Sequence, residues 1–194
     1  MKHRAWLAAG LLALPIGCGG PPPRVYVLDT AAGAQPAIAA ADTRPAVELT
    51  RVTIPDYLDT TDISSRDGGN GISISRTGQW GERLSVGTAR ALSATLARIA
   101  PSLRIVRTSL SARDARILSV ELEAFEPRAD GQCVLVAHWT ILSGDRRTIL
   151  ASGRGTFVSR IQGRSGDAAV VAAMADTVTQ LAGPIAAALT QTSR

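Results

Sequence analysis

Polar and apolar residues alternate most clearly between Ile117 and Phe125, where Leu118, Val120, Leu122 and Ala124 fall on one side and Glu121 and Glu123 on the other. A period of two is what a strand with one face against a core requires. Cys133 to Leu142 is apolar on both faces, which predicts a strand central in its sheet. Ile149 to Ile161 predicts a third long strand, with Gly153 and Gly155 marking a bulge or a close backbone approach. Asp130-Gly131 and Ser143-Gly144-Asp145 supply the turns between these runs, so the three strands form an antiparallel meander.

Shorter runs at Val25 to Asp29, Val47 to Ile54 and Arg104 to Thr108 predict three more strands. Pro55 stops the second of them, because proline donates nothing to a ladder, and Asp56-Tyr57-Leu58-Asp59 then reads as a bend carrying an aromatic. Ile63 to Arg66 and Ile72 to Arg76 flank Asp67-Gly68-Gly69-Asn70-Gly71, whose Asp-Gly and Asn-Gly pairs predict a hairpin turn. Thr30 to Pro45 has no periodicity, carries Gly33, Pro36 and Pro45, and is predicted as loop.

Two segments have the helical period. From about Trp80 to Ile99, Leu84, Leu92, Leu96 and Ile99 make one stripe, ended by Pro101. From about Asp167 to Leu189, Val170, Met174, Val178, Leu181, Ile185 and Leu189 recur at steps of three and four. Pro184 lies inside this second segment and predicts a kink or break near Gly183. Its apolar length fits a membrane span, but Asp176, Gln180 and its threonines favour a core helix. The predicted fold class is α+β: an antiparallel-rich sheet of about six to eight short strands, with two amphipathic helices packed on one face.

The amino terminus has a different character. Lys2 and Arg4 precede an apolar run from Ala5 to Ile16, and Gly17 comes before Cys18, the anatomy of a secretory leader too short to span as a mature helix. Residues 1–17 are therefore read as a lipoprotein signal peptide, 18–24 as the lipidated Cys18 with a Gly/Pro tether, and 25–194 as one domain. The site resembles a bacterial lipobox, although Pro15 stands where leucine is usual, with Leu14 one place back. At 194 residues there is room for one sizeable core.

Charge and cysteine content narrow the functional classes. Removing the leader takes Lys2 and Arg4 from 21 basic residues, leaving an excess of three over the 16 acidic ones, too little to indicate nucleic acid. Arg146, Arg147, Arg154, Arg160 and Arg164 cluster in sequence with only Asp145 opposing, as a solvated face does or a contact with anionic lipid or an acidic partner. With Cys18 acylated, Cys133 has no disulfide partner and is expected to be a buried small residue. His138 is the only histidine after the leader, so an imidazole-based metal site lacks its further ligands. No Gly-x-Ser-x-Gly elbow and no Gly-Lys-Ser/Thr phosphate loop is present, so neither a catalytic set nor a cofactor is indicated.

Pro55, Tyr57-Leu58, Ile63 and Trp80-x-Glu82-x-Leu84 leading into a helix resemble the signature of the PqiC-type, or ABC-type transport auxiliary, lipoproteins of Gram-negative envelopes. The similarity extends upstream to Tyr26-Val27-Leu28 and downstream through the Phe125 and Trp139 strands to the C-terminal helix. It implies a non-enzymatic outer-membrane subunit of an MCE-type lipid transport system. Such a subunit docks onto a periplasmic tunnel protein, with the permease and ATPase in the inner membrane, and can form a homo-oligomeric ring. Gly19 after the cysteine is not the aspartate that commonly retains lipoproteins in the inner membrane, which favours the outer one. Alternatives from other classes are a periplasmic lipid-binding module and a lipoprotein hydrolase. Tyr57, Leu58, Trp80 and Glu82 are the candidate partner-binding residues. Tyr57 and Trp80 are equally compatible with core or turn packing, and Glu82 with complementing a helix dipole.

Overall fold

The computed structural model describes residues 21–29, 42–107, 115–163 and 166–192. Cys18 with its leader, most of the alanine-rich loop, Thr108 and Arg164 lie outside the described residues. The elements in chain order are β1 (Arg24–Tyr26), β2 (Ala46–Thr53), β3 (Asp62–Arg66), β4 (Ile72–Trp80), α1 (Leu84–Ile99), β5 (Arg104–Val106), β6 (Arg116–Pro127), β7 (Gln132–Leu142), β8 (Ile149–Arg160) and α2 (Asp167–Gln191).

The strands divide between two sheets rather than one. A three-stranded sheet has the order β1-β4-β3, and a five-stranded sheet the order β5-β2-β6-β7-β8. The meander β6-β7-β8 is antiparallel along its whole length, as is β3-β4, whereas β1 pairs β4, and β2 pairs both β5 and β6, in parallel. The antiparallel ladders are the longer ones, so the α+β class with mainly antiparallel pairing holds. β7 is paired on both sides but lies next to the edge strand; β6 is the middle strand.

Both helices cover the same face of the larger sheet. α1 packs on β2 and β5, α2 on β7 and β8, and the helices pack on each other. Leu92 and Leu96 of α1 and Val178, Leu181, Ile185 and Leu189 of α2 are fully buried against Leu118, Val120, Leu135 and Ile141. Ile99, expected in the first stripe, is exposed at the helix end; Thr88, Ala91 and Thr95 are buried instead. α2 is long and apolar enough to cross a membrane, but its stripe forms the domain core.

Three local expectations change. Trp80 ends β4 rather than opening α1, which begins at Leu84. α2 runs through Pro184 without a break. Gly183 and Pro184 are exposed, so the Gln180 carbonyl that loses its helical donor is on the side turned away from the core. In β6 the register shifts between Leu122 and Ala124, leaving Glu123 unpaired. That extra residue moves the buried phase from Leu122 to Phe125, so Ala124 does not continue the Leu118-Val120-Leu122 face.

Gly153 and Gly155 mark a close approach. They lie opposite Trp139 and Ala137 on β7. A Cβ on Gly153 would lie 2.6 Å from Trp139 Cε2, and one on Gly155 would lie 2.8 Å from Phe157 Cζ. Arg116 fixes the end of α2 to the start of β6. It is buried, donates to the Leu189 carbonyl and to Thr192 Oγ1, and so places positive charge at a helix C-terminus.

Candidate functional site

Pro55 turns the chain out of β2. The Leu58 amide donates to the Pro55 carbonyl at 2.9 Å, which closes the bend and drives Leu58 into the core at 2% exposure. Tyr57, one residue earlier, points the other way and is 45% exposed. Its hydroxyl donates to Glu126 Oε2 at 3.2 Å and accepts from Arg66 Nη2 at 2.9 Å. Arg66 Nε also donates to Glu126 Oε1, and its guanidinium lies 5.9 Å from the Tyr57 ring centroid. Glu126 is buried, so these partners satisfy a carboxylate that would be costly alone. Partial burial, and then the Glu126 charge, raise the Tyr57 hydroxyl pKa.

Asp59 closes the other side of the bend. Its Oδ1 accepts the Ser85 backbone N–H at 2.9 Å and its Oδ2 accepts Arg83 Nη2 at 2.9 Å, with Arg51 Nη2 at 3.8 Å. Burial acts to raise its pKa, but the Ser85 hydrogen bond and the Arg83 charge outweigh it and hold the carboxyl below its usual range. Trp80 is 3% exposed and pairs with Tyr26 across the small sheet. Glu82 accepts from Arg90 Nε at 3.0 Å and Nη2 at 2.8 Å, and Arg90 reaches on to the Leu28 carbonyl at 3.2 Å. Glu82 thus stands before the first turn of α1, which contains no acidic residue, and braces the segment after β1.

The four sequence candidates therefore serve different purposes. Leu58 and Trp80 share the core. Tyr57 belongs to the cluster with Arg66 and Glu126, and Glu82 to the pair with Arg90. Beside the bend, a groove of about 420 Å³ runs between β2 and the first turns of α1. Leu49, Val52, Val86 and Ala89 give it apolar walls; Arg51, Arg83 and Arg107 stand around it. β5 pairs only with Ala46 to Glu48, so beyond Glu48 that edge of β2 has no strand partner among the described residues. Sequence reading missed this groove, because Arg51, Arg83 and Arg107 are far apart in the chain and only the parallel β2-β5 pairing brings Arg107 to it.

The sequence matches the family model of the ABC-type transport auxiliary lipoprotein component over residues 26–186. The chain belongs to that family. Its members are lipoprotein components auxiliary to ABC-type transport. A crystal structure of an uncharacterized protein superposes with a TM-score of 0.72 at 18% identity, covering 86% of this chain and 98% of that one. The protein XCC0632 from Xanthomonas campestris superposes at 0.66 with 15% identity, covering 88% and 94%. These likenesses concern the fold. No curated protein matches the sequence.

The remaining chemical candidates of the auxiliary lipoprotein fall into structural places. Cys133 is buried in β7, where burial pushes its thiol up to about 12, so it stays protonated and unreactive at neutral pH. His138 is exposed on the open sheet face, opposite Glu121 and Arg154. Among the described residues no group of three His, Cys, Asp or Glu side chains converges as metal ligands would. The arginine-rich stretch is divided as well: Arg146 pairs with Glu48 at 3.7 Å and Arg154 with Glu123.

Proposed function

We propose that this auxiliary lipoprotein is the non-enzymatic outer-membrane subunit of an MCE-type lipid transport system, held by an acylated Cys18 and docked onto the periplasmic tunnel protein. The inner-membrane permease and ATPase of such a system supply the energy, and the lipoprotein acts as a homo-oligomer on the outer-membrane side. The docking surface in this reading spans the Pro55 bend. Tyr57 is exposed on one side of it, and the arginine-bordered groove between β2 and α1 lies on the other. Leu58, Trp80 and Glu82 hold this surface in place from behind.

The observation that carries the reading is the family match across residues 26–186, together with an apolar groove whose guanidinium groups suit an acidic segment of a partner. Among the described residues the β2 edge beyond Glu48 has no strand partner, and its main-chain donors and acceptors would suit an extended partner segment. The test is capture of the cognate MCE tunnel protein by the purified lipoprotein. Val86→Asp, at a position 47% exposed and lining the groove, is expected to abolish capture without changing the melting temperature. Normal capture by Val86→Asp would move the docking surface elsewhere, and no capture by the parent protein would overturn the function. Fractionation tests the anchor: Cys18→Ser is expected to appear in the soluble periplasmic fraction.

A further inference from the structure

The β3-β4 hairpin exposes apolar side chains that the fold does not use. Ile72 is 37% exposed and Ile74 is 58% exposed. They are two residues apart on the regularly paired part of β4 and so point to one side of the strand, before the register shift that separates Ile74 from Gln79. The turn from Asp67 to Gly71 carries Gly68 and Gly69 at φ 73° and 66°, which makes it tight and leaves the hairpin end narrow.

The direction of the chain decides what meets this end. β1 pairs β4 in parallel, with Arg24 opposite Gly78 and Tyr26 opposite Trp80. Moving back from Arg24 towards the amino terminus therefore moves along β4 from Gly78 towards Ile74 and Ile72. Pro21 and Pro22, just before this pairing, line a cleft with Thr77 of β4 and with Gly166 and Asp167 at the start of α2. Thr77 Oγ1 donates to Asp167 Oδ2 at 2.6 Å, which fixes the start of α2 to the same end. Pro21 is three residue steps from Cys18, a reach of about 10 Å when fully extended. An acyl group on Cys18 would then stay within about 10 Å of Pro21, on the side of the domain that holds Thr77 and the start of α2.

We infer that the β3-β4 hairpin is a second membrane contact, with Ile72 and Ile74 seated in the headgroup layer of the bilayer that holds the anchor and Arg24 and Arg76 on its phosphates. This rests on the Cys18 anchor proposed above. Two isoleucines would not hold a free protein on a membrane. Beside an acyl anchor, however, the local lipid concentration is so high that their burial need only orient the domain. Arg24 on β1 and Arg76 on β4 are exposed and supply the cations that a phosphate surface attracts. The hairpin then fixes which side of the lipoprotein faces the periplasm.

The experiment uses the full, acylated protein in phosphatidylethanolamine/phosphatidylglycerol vesicles, with an environment-sensitive fluorophore on Ile74→Cys. Cys133 is buried and Cys18 acylated, so the new thiol alone reacts. A matching label on Ile149→Cys, 65% exposed at the opposite end of β8, is the control. Nitroxide-bearing lipids are expected to quench the label at position 74 about two-fold or more and to leave that at 149 unchanged. Equal, weak quenching at both positions in protein that floats with the vesicles overturns the hairpin contact and leaves the anchor standing. Protein that neither floats nor incorporates labelled palmitate overturns the anchor and this inference together. Shielding of the label only after the tunnel protein is added would assign the hairpin to a protein interface and overturn the lipid contact.

Discussion

Asp59, in the Pro55 bend, caps α1: its Oδ1 accepts the backbone N–H of Ser85, 26 residues further on, at 2.9 Å. The residue in the N-cap position of α1 is Arg83, whose carbonyl accepts from Val86 and Gly87 but whose side chain offers no acceptor to the first turn. A helix start otherwise left with free donors is thus satisfied from the Pro55 bend, and the bend is fixed to α1 in exchange. Asp59→Ala is expected to destabilise the fold by about 2 kcal/mol, combining a lost cap with an unpaired buried amide. Asp59→Asn keeps an acceptor and should recover part of that loss. Urea unfolding of the three proteins checks the order, and an Asp59→Ala midpoint equal to the parent's would show that the cap is dispensable.

The same carboxylate predicts a pH dependence. The folded-state pKa of Asp59 lies below its unfolded value, so its contribution is fully present above the unfolded pKa and is lost as pH falls through the folded one. The parent should therefore lose stability more steeply than Asp59→Asn between about pH 5 and about pH 3. Parallel acid-unfolding curves for the two proteins would assign the slope to other carboxylates.

Most of the fold was legible because the strands and helices carry their own periods. The Asp67 to Gly71 turn, the β6-β7-β8 meander and the α2 stripe all follow from local pattern, and each is found within a few residues of its expected bounds. Pairings between distant strands were not legible: nothing in Arg24 to Tyr26 says that it lies parallel to Gly78 to Trp80. The site was legible in part. A tryptophan at a strand end and a tyrosine in a bend look alike in sequence, and only the tertiary packing buries Trp80 while exposing Tyr57. Pro184 misled for a physical reason, since proline's cost falls on a carbonyl turned away from the core, while the α2 stripe is buried on the other side.

Gly153 is required by its neighbour across the ladder. The Trp139 indole lies over its backbone, so a methyl group there must displace a 6% exposed tryptophan. Gly153→Ala is expected to cost about 1–3 kcal/mol through overpacking, against the gain alanine normally brings to a strand. Thermal unfolding measures it. A stabilised variant would mean that the indole has room to shift.

Tyr57 and Trp80 separate binding from folding. Trp80 is buried in the core, so Trp80→Ala should cost about 3–5 kcal/mol of stability, and partner capture should fail only as the protein unfolds. Tyr57 leaves nearly half of its surface free and gives the fold one hydroxyl shared by Arg66 and Glu126. Tyr57→Ala should then cost about 1 kcal/mol of stability while weakening capture of the tunnel protein by about 2 kcal/mol or more, roughly 30-fold in affinity. Arg66→Ala distinguishes the ring from the charge cluster beneath it, because removing the guanidinium leaves Glu126 buried without its cation and should cost about 3–5 kcal/mol. Melting curves beside binding isotherms give both quantities for each variant. If Tyr57→Ala melts and binds like the parent, the aromatic is only part of the bend, and the docking surface reduces to the groove between β2 and α1.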